Sequence, residues 1–329
     1  MKLTNKENIP LEFAVWLAHD DYDHSSDPKE ISVTTLIKPL KQIILSARAP
    51  EIQADVSNQV ASAFGTAIHN TIEHTWVNHY RQSFEILGYP KGVIDQIKIN
   101  PSASDIELYS KNGTPNIPIY LENRSKKRVN GWTVSGKYDL VIEGKVKDIK
   151  TTKTYSYMKK SKDSDYILQG SIYKWLNPDI ITNDIMSILY YFTNWNKLSS
   201  VKEKGYPSSA ILEYPLKLLS HEATENFIKT KLFQLETYWN SPEADIAPCS
   251  QKELWQDDPV WKYYKDPNKL TRSTKNFDNL MEATNRLMDD GSVGIIKEIK
   301  GKARACIYCP AVTICKQAQQ LVASGQLVV

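Results

Sequence analysis

The sequence has no long apolar run, and this absence sets a first limit on the kind of protein it encodes. No stretch approaches the roughly 18 apolar residues that a membrane-spanning helix needs. The apolar segment at residues 11–18 is short, and Asp20 and Asp21 follow where a signal peptide would carry small residues and a cleavage site. The sequence therefore predicts a protein of the cytoplasm without membrane contact.

Cysteine and net charge are also low. Four cysteines in 329 residues are too few for a disulfide framework. A net charge of +3 and a pI near 8.4 permit a nucleic-acid partner without arguing for one. No Gly-x4-Gly-Lys-Ser/Thr loop occurs, which excludes a nucleotide-driven motor of that type. Internal repeats and low-complexity tracts are absent too.

The remaining composition, 41% hydrophobic and 24% charged, is that of a folded globular protein. Helix and strand patterns alternate through residues 1–245, which predicts an α/β fold with a sheet flanked by helices. Residues 246–329 differ because they hold all four cysteines. We expect a core domain at 1–245, opening with a helical segment, and a cysteine-bearing region at 246–329 packed on it.

A β-hairpin is predicted at the centre of the chain. Residues 133–142 and 145–151 are rich enough in β-branched and apolar residues to form strands. The two residues between them, Glu143 and Gly144, are suited to a tight turn. This hairpin is the stretch around which the rest of the chain is organised.

The predicted register sets Asp139 opposite Asp148 and Lys137 opposite Lys150, all on one face of the hairpin. Directly opposed carboxylates repel each other, so a cation is expected between them. Two hard carboxylate ligands suit Mg²⁺ or Mn²⁺. A solvated face that carries mixed charges is the alternative.

A long helix is predicted over about 58–84, with Gly65, His69 and Glu73 stacked along one face. Gly65 would allow a close approach to the backbone. Taken alone, His69 is more often a packed histidine than a ligand. The two histidines and three aspartates within 19–24 favour an exposed acidic turn over a metal site, because they show no regular ligand spacing.

Residues 85–130 are rich in glycine and proline and are predicted to form loops and short strands, as an insertion. Their last segment, which includes Arg124, is either a phosphate-contacting rim or a solvated turn.

After the hairpin comes a basic stretch that is either a phosphate-binding surface or a solvated face. Its lysines are Lys145, Lys147, Lys150, Lys153, Lys159, Lys160 and Lys162. A helix over 163–177 then carries Gln169 and Tyr173 on one side.

Three of the four cysteines form a Cys306-x2-Cys309-x5-Cys315 motif. Two cysteines around a tight turn can share one metal, and Cys315 can reach it after a further turn. With Cys249 they complete a four-thiolate site. Four thiolates suit zinc as well as an iron–sulfur cluster, and ordinary buried cysteines are the remaining alternative.

Four motifs together resemble the PD-(D/E)XK nuclease superfamily, in its RecB-like exonuclease branch and its stand-alone phage-encoded members. They occur in family order: Gly65-x3-His69-x3-Glu73, then Gly136-Lys-Tyr-Asp139, then Asp148-Ile-Lys150-Thr, then Gln169-x3-Tyr173. The resemblance implies a restriction-endonuclease-like mixed sheet flanked by helices and a metal-dependent deoxyribonuclease.

The resemblance also implies a role for each matched residue. His69, Asp139, Asp148 and the backbone carbonyl of Ile149 would hold the divalent cation. Lys150 would position or activate the attacking water and offset charge in the transition state. Among the remaining residues, Glu73 would support the site, Gln169 and Tyr173 would position DNA, and Lys153 and Arg124 are candidate DNA contacts.

The cysteine motif is similar to that of iron–sulfur members of the branch, which implies a [4Fe–4S] cluster. In those relatives the fourth cysteine precedes the nuclease core, whereas Cys249 follows it here. If Cys249 is the fourth ligand, the cluster closes a loop within the C-terminal region. Zn²⁺ is the alternative occupant.

Together these features predict a Mg²⁺- or Mn²⁺-dependent DNA exonuclease, in phage DNA recombination, repair or degradation. It would act on single strands or free ends, in the host cytoplasm if phage-encoded. A helicase or recombinase partner and a homo-oligomer are further expectations. The alternatives are an endonuclease of the same fold and a catalytically silent DNA-binding scaffold.

Overall fold

The computed structural model describes residues 2–19, 25–51 and 53–328, so most of the predicted acidic turn at 19–24 lies outside the described residues. No described helix is both long enough and apolar enough to cross a membrane. The described helices are α1 (Leu11–Ala18), α2 (Val33–Leu36), α3 (Leu40–Arg48), α4 (Val60–Ile86), α5 (Lys91–Ile94), α6 (Ala103–Lys111), α7 (Thr154–Lys159), α8 (Asp163–Leu176), α9 (Lys197–Lys202), α10 (His221–Tyr238), α11 (Leu280–Asp289) and α12 (Lys316–Ala323).

The strands of the described residues form four separate sheets. In chain order they are β1 (Lys2–Thr4), β2 (Glu30–Ser32), β3 (Gln53–Asp55), β4 (Ile97–Ile99), β5 (Ile117–Leu121), β6 (Arg124–Val129), β7 (Trp132–Lys137), β8 (Leu140–Ile142), β9 (Lys145–Thr152), β10 (Ile185–Phe192), β11 (Ile211–Lys217), β12 (Val260–Tyr264), β13 (Lys275–Phe277) and β14 (Ile295–Ile299). The chain is therefore a mixed α/β protein.

The chain divides into two compact units. One comprises Met1–Ile37 and Gln53–Phe233, and the other comprises Lys38–Ile52 and Gln234–Val329. The second unit thus combines α3 with the C-terminal region. The predicted boundary after residue 245 stays a prediction, while all four cysteines lie in the second unit.

The first unit is built on a six-stranded sheet in the order β11-β10-β9-β8-β5-β4. The pairs β9–β10 and β4–β5 are parallel and the other three are antiparallel, so the sheet is mixed. The tight turn between β8 and β9 is confirmed, since Ile142 pairs with Lys145. Glu143 and Gly144 both have positive φ values, 50° and 74°, as a type I′ turn requires.

The predicted first strand of the hairpin is wrong in one respect, because residues 133–142 do not form one strand. β7 belongs to a second sheet of order β2-β7-β6, and only β8 pairs with β9. The buried Tyr138 marks the point where the chain passes from one sheet to the other. Lys137 therefore lies opposite Arg124 and not opposite Lys150.

Two helices pack against the central sheet. On α4, Ile68 and Ile72 contact a cluster that includes Ile149 of β9. On α8, Gly170 allows close packing, because an added Cβ would lie 2.4 Å from the Met186 sulfur of β10. These contacts place the histidine helix and the glutamine helix against the strands that carry the acidic residues.

The expectation of an insertion at 85–130 is wrong. β4 and β5 are members of the central sheet, and Ile97, Ile119 and Leu121 are 2–3% exposed. These strands have three and five residues, too short for a clear period-2 pattern. The segment also contains the unpredicted helix α6, which starts with a capping box between Ser102 and Asp105.

The second unit holds a small antiparallel sheet of order β13-β12-β14, with α11 packed on it. Helix α3 is tied to the C-terminal segment of the same unit by an ion pair: Lys41 Nζ lies 3.0 Å from Glu243 Oε1, and both side chains are at most 12% exposed.

Candidate active site

Strand β9 carries the acid–x–lysine pair. Asp148 and Lys150 are two residues apart, so strand alternation points both to the same face. Lys150 Nζ lies 2.5 Å from Asp148 Oδ2, and the Asp148 side chain is 2% exposed. Burial raises the pKa of Asp148 to about 6, against the opposing effect of the lysine charge. The two residues form a buried ion pair.

Asp139 lies at the corner between β7 and β8 and is tied to β9. Its Oδ2 accepts a hydrogen bond from the Ile149 N–H at 2.6 Å. Burial acts to raise the pKa of Asp139, but hydrogen bonding to His69 and the charges of His69 and Lys150 hold it below the usual value. Asp139 is therefore a carboxylate with one oxygen fixed by the backbone.

His69 projects from α4 towards the backbone of the same residue, Ile149. Its Nε2 lies 3.0 Å from the carbonyl oxygen of Ile149, and its Nδ1 lies 3.5 Å from Asp139 Oδ1. Burial acts to lower the pKa of His69, but hydrogen bonding to Asp139 and the charges of Asp139 and Asp148 together outweigh it, so the net shift is upward. The backbone N–H and the backbone carbonyl of Ile149 are thus both in contact with predicted site residues.

Glu122 is a site residue that sequence analysis missed. It follows β5 directly, and its Oε1 lies 3.9 Å from His69 Nδ1. Its Oε2 lies 2.5 Å from Lys137 Nζ. Only the β5–β8 pairing reveals its position, because the Glu122 N–H donates to the carbonyl of Asp139 at 2.9 Å. No local sequence signal marks it.

Glu73 lies one helical turn beyond His69 and is half-buried. Its charge, together with that of Asp139, adds to burial in raising the pKa of Glu122, while the hydrogen bond from Lys137 opposes the shift. Glu73 is therefore near enough to act on Glu122 electrostatically, and its supporting role stays a prediction.

Gln169 and Tyr173 of α8 are bonded to each other. Gln169 Nε2 donates to the Tyr173 hydroxyl at 2.9 Å, and the two residues are 7% and 3% exposed. Tyr173 also packs edge-on against Tyr138 with ring centroids 6.5 Å apart. The hydrogen bond is internal to α8, and the ring contact between Tyr173 and Tyr138 joins this helix to the corner at Asp139. Its contact with DNA stays a prediction.

The basic stretch does not present all of its lysines to solvent in the same way. Lys145 and Lys147 both lie within 3.3 Å of Glu213 on β11. Lys153, at the start of α7, is exposed, and Arg124 is half-buried on β6. A phosphate-binding surface would therefore use the lysines near α7 more than the lysines of β9.

The donor set fits a divalent cation. Among the described residues, His69, Glu122 and Asp139 are the one group of three whose ligand atoms all lie within 4.8 Å of one another. Asp148 Oδ2 is buried and has no hydrogen bond of acceptable geometry, although the Lys150 ammonium is close. Carboxylate oxygens with one imidazole nitrogen suit Mn²⁺ or Mg²⁺. The predicted side chains His69, Asp139 and Asp148 are thus gathered at one place, with Glu122 beside them.

The four cysteines form a second cluster, in the second unit. Cys249, Cys306, Cys309 and Cys315 are free thiols that line one cavity of about 30 Å³. Burial raises the pKa of Cys249 to about 12, with Glu253 and the other thiols adding to the effect. A thiol with so high a pKa stays protonated near neutral pH unless a metal binds it.

Comparison with known proteins gives only distant likenesses. No protein-family model and no curated protein matches the chain. The crystal structure of SSO0001 matches with a TM-score of 0.40 and 16% identity, over 72% of this chain and 89% of the other. A phage-related exonuclease from Haemophilus somnus 129PT matches with a TM-score of 0.28 and 13% identity, over 66% and 96%. No function is carried over from either.

Proposed function

We propose that the chain is a metal-dependent DNA nuclease of the PD-(D/E)XK superfamily and that it acts as an exonuclease of the RecB-like branch. The observation that carries this proposal is the convergence of four side chains around the backbone of Ile149. Asp139 from the β7–β8 corner, the Asp148–Lys150 pair from β9 and His69 from α4 meet there, although up to 81 positions separate them in the chain.

His69, Asp139 and Asp148 are the side chains proposed to hold the Mg²⁺ or Mn²⁺ ion. A bound divalent ion would polarise a phosphate oxygen and lower the pKa of a coordinated water. Lys150 is held by Asp148 with its ammonium at the same face of the sheet, where it can orient an attacking water and offset negative charge on the phosphate.

The proposed DNA contacts lie around this centre. The exposed Lys153 can pair with a backbone phosphate, and Arg124 lies on β6 opposite Lys137. Gln169 and Tyr173, being buried and bonded to each other, would act by fixing the wall of the site. We further propose a setting in phage DNA recombination, repair or degradation, with a helicase or recombinase supplying unwound DNA or the chain forming homo-oligomers.

The test is degradation of end-labelled linear DNA, single- and double-stranded, with Mg²⁺, Mn²⁺ or EDTA. Lys150→Ala is run beside the wild type, and a covalently closed circle serves as the control for end dependence. Metal-dependent loss of linear DNA in the wild type alone, with the circle intact, supports the exonuclease. Cleavage of the circle would instead define an endonuclease, and binding without cleavage would define a silent scaffold.

For the cysteine cavity we propose a [4Fe–4S] cluster held by Cys249, Cys306, Cys309 and Cys315. A single Zn²⁺ with Zn–S bonds of about 2.3 Å would bring the sulfurs to about 3.8 Å from one another. Among the described residues, no three cysteine sulfurs lie even within 4.8 Å of one another. Sulfurs that share a cavity at wider spacing favour the larger four-iron cluster.

Iron, sulfide and zinc contents of anaerobically purified protein test this assignment. About four irons and four sulfides for each chain are expected, with loss of both in Cys309→Ala. That variant should lose stability and solubility more than catalytic chemistry, because the thiols lie in a different unit from the carboxylates. One equivalent of zinc without iron would overturn the iron–sulfur assignment.

A further inference from the structure

Glu122 is held beside Asp139 by the sheet itself. Leu121 pairs with Leu140 at the end of the β5–β8 ladder, and the N–H of Glu122 donates to the carbonyl of Asp139 at 2.9 Å. Antiparallel pairing therefore places the two acidic residues directly opposite each other, where their side chains are neighbours. This proximity persists as long as the central sheet is formed.

The histidine between these carboxylates presents Nδ1 to them. Its Nε2 lies 3.0 Å from the carbonyl oxygen of Ile149, and Nδ1 faces Asp139 Oδ1 at 3.5 Å and Glu122 Oε1 at 3.9 Å. The three residues offer ligand atoms that all lie within 4.8 Å of one another. One imidazole nitrogen and two carboxylate oxygens at this spacing are ligands that one divalent cation can share.

The outer oxygens of both carboxylates are already occupied. Asp139 Oδ2 accepts from the Ile149 N–H at 2.6 Å, and Glu122 Oε2 lies 2.5 Å from Lys137 Nζ. Each carboxylate therefore has one oxygen fixed by the protein and turns the other towards His69 Nδ1. Ligating carboxylates and histidines are held in this way, with the second ring nitrogen of the histidine bonded to a carbonyl.

We propose that Glu122 is a further ligand of the catalytic cation, which it would hold together with His69 and Asp139. The inference deepens the proposed nuclease function and rests on it. Lys137 is the residue that positions Glu122.

The test is Mn²⁺ binding to the full-length protein without DNA, measured by calorimetry and by the EPR signal of free Mn²⁺. Glu122→Gln should weaken binding by about tenfold or more, since loss of even an outer hydrogen bond at a metal site has such an effect. Lys137→Met removes the ion pair that positions Glu122 but keeps the carboxylate, so it should weaken binding less than Glu122→Gln does. Glu107→Gln, an exposed carboxylate on α6, controls for the charge change and should stay within about twofold.

Glu122→Gln with wild-type affinity would overturn the proposal, and so would an equal loss in Lys137→Met, which would reduce Glu122 to an ion-pair partner. Asp139→Asn separates this failure from failure of the proposed function. If Asp139→Asn loses Mn²⁺ and Glu122→Gln does not, only the role of Glu122 is wrong. If neither variant differs from the wild type, no cation binds at this place and the nuclease proposal fails with it.

Discussion

The buried pair of Asp148 and Lys150 gives the sharpest expectation for a substitution. Lys150→Met keeps the length of the side chain but removes the ammonium that lies 2.5 Å from Asp148 Oδ2. The carboxylate then stays buried without its counter-charge. We expect cleavage to fall by about 10²–10³-fold, as for loss of one transition-state charge partner, while DNA binding survives.

The cost in stability follows from the burial of the two partners. Removing one member of a buried ion pair destabilises a protein by about 3–5 kcal/mol. Lys150 keeps 27% of its side chain exposed, so about 3 kcal/mol, at the lower end, is expected here. Because burial already raises the pKa of Asp148 to about 6, protonation relieves the unpaired charge in acid. The loss should therefore be larger at pH 8 than at pH 5.

The assay is urea unfolding in EDTA for a double-mutant cycle of Lys150→Met and Asp148→Asn. The double variant carries neither charge, so it should recover about 2 kcal/mol relative to the sum of the single losses. Lys153→Met, an exposed lysine at the end of the same segment, is the matched control and should leave stability unchanged. Additive losses within about 0.5 kcal/mol, or cleavage at the wild-type rate in Lys150→Met, would refute this account of the pair.

Three further outcomes are expected. Gln317→Ala should lower the iron content and the melting temperature of the metal-loaded protein. The reason is that the Gln317 side-chain amide forms two hydrogen bonds of 2.8 Å with the backbone of Cys249. An unchanged iron content for each folded chain would contradict this. Gly136→Ala should destabilise by about 1–3 kcal/mol in thermal unfolding, since its Cβ would meet two aliphatic side chains at 2.8 Å; an unchanged melting temperature would count against it. The pKa of Glu30 is lowered to about 2, chiefly by its hydrogen bond from Lys126. That stabilisation is complete above pH 4.5 and is lost as the pH falls towards 2. After screening at the half-exposed lysine it amounts to about 1 kcal/mol, so Glu30→Gln should flatten the stability profile in that window.

Several features followed from the sequence because they depend on neighbours in the chain. The alternation of a strand decided that Asp148 and Lys150 share a face, and the 3.6-residue period of a helix decided that His69 and Glu73 do. The Glu143–Gly144 turn was predictable for the same reason, since glycine readily adopts a positive φ. The positive φ of Glu143, 50°, is uncommon for a residue that carries a Cβ.

The remaining features depended on contacts between distant segments. The pairing of β5 with β8 brings Glu122 next to Asp139, and no periodic pattern within residues 117–122 predicts this pairing. The chain passes from one sheet to the other at Tyr138, and a strand register holds only within one ladder. The register predicted for a single hairpin therefore does not extend to Lys137, which forms an ion pair with Glu122 and does not lie opposite Lys150. Cys249 reaches the cysteine motif through the folding of the second unit. The sequence alone therefore predicts which side chains share a face of one strand or helix. Which of these faces come into contact depends on the tertiary structure, because the pairing of distant strands is set by the packing of the whole core.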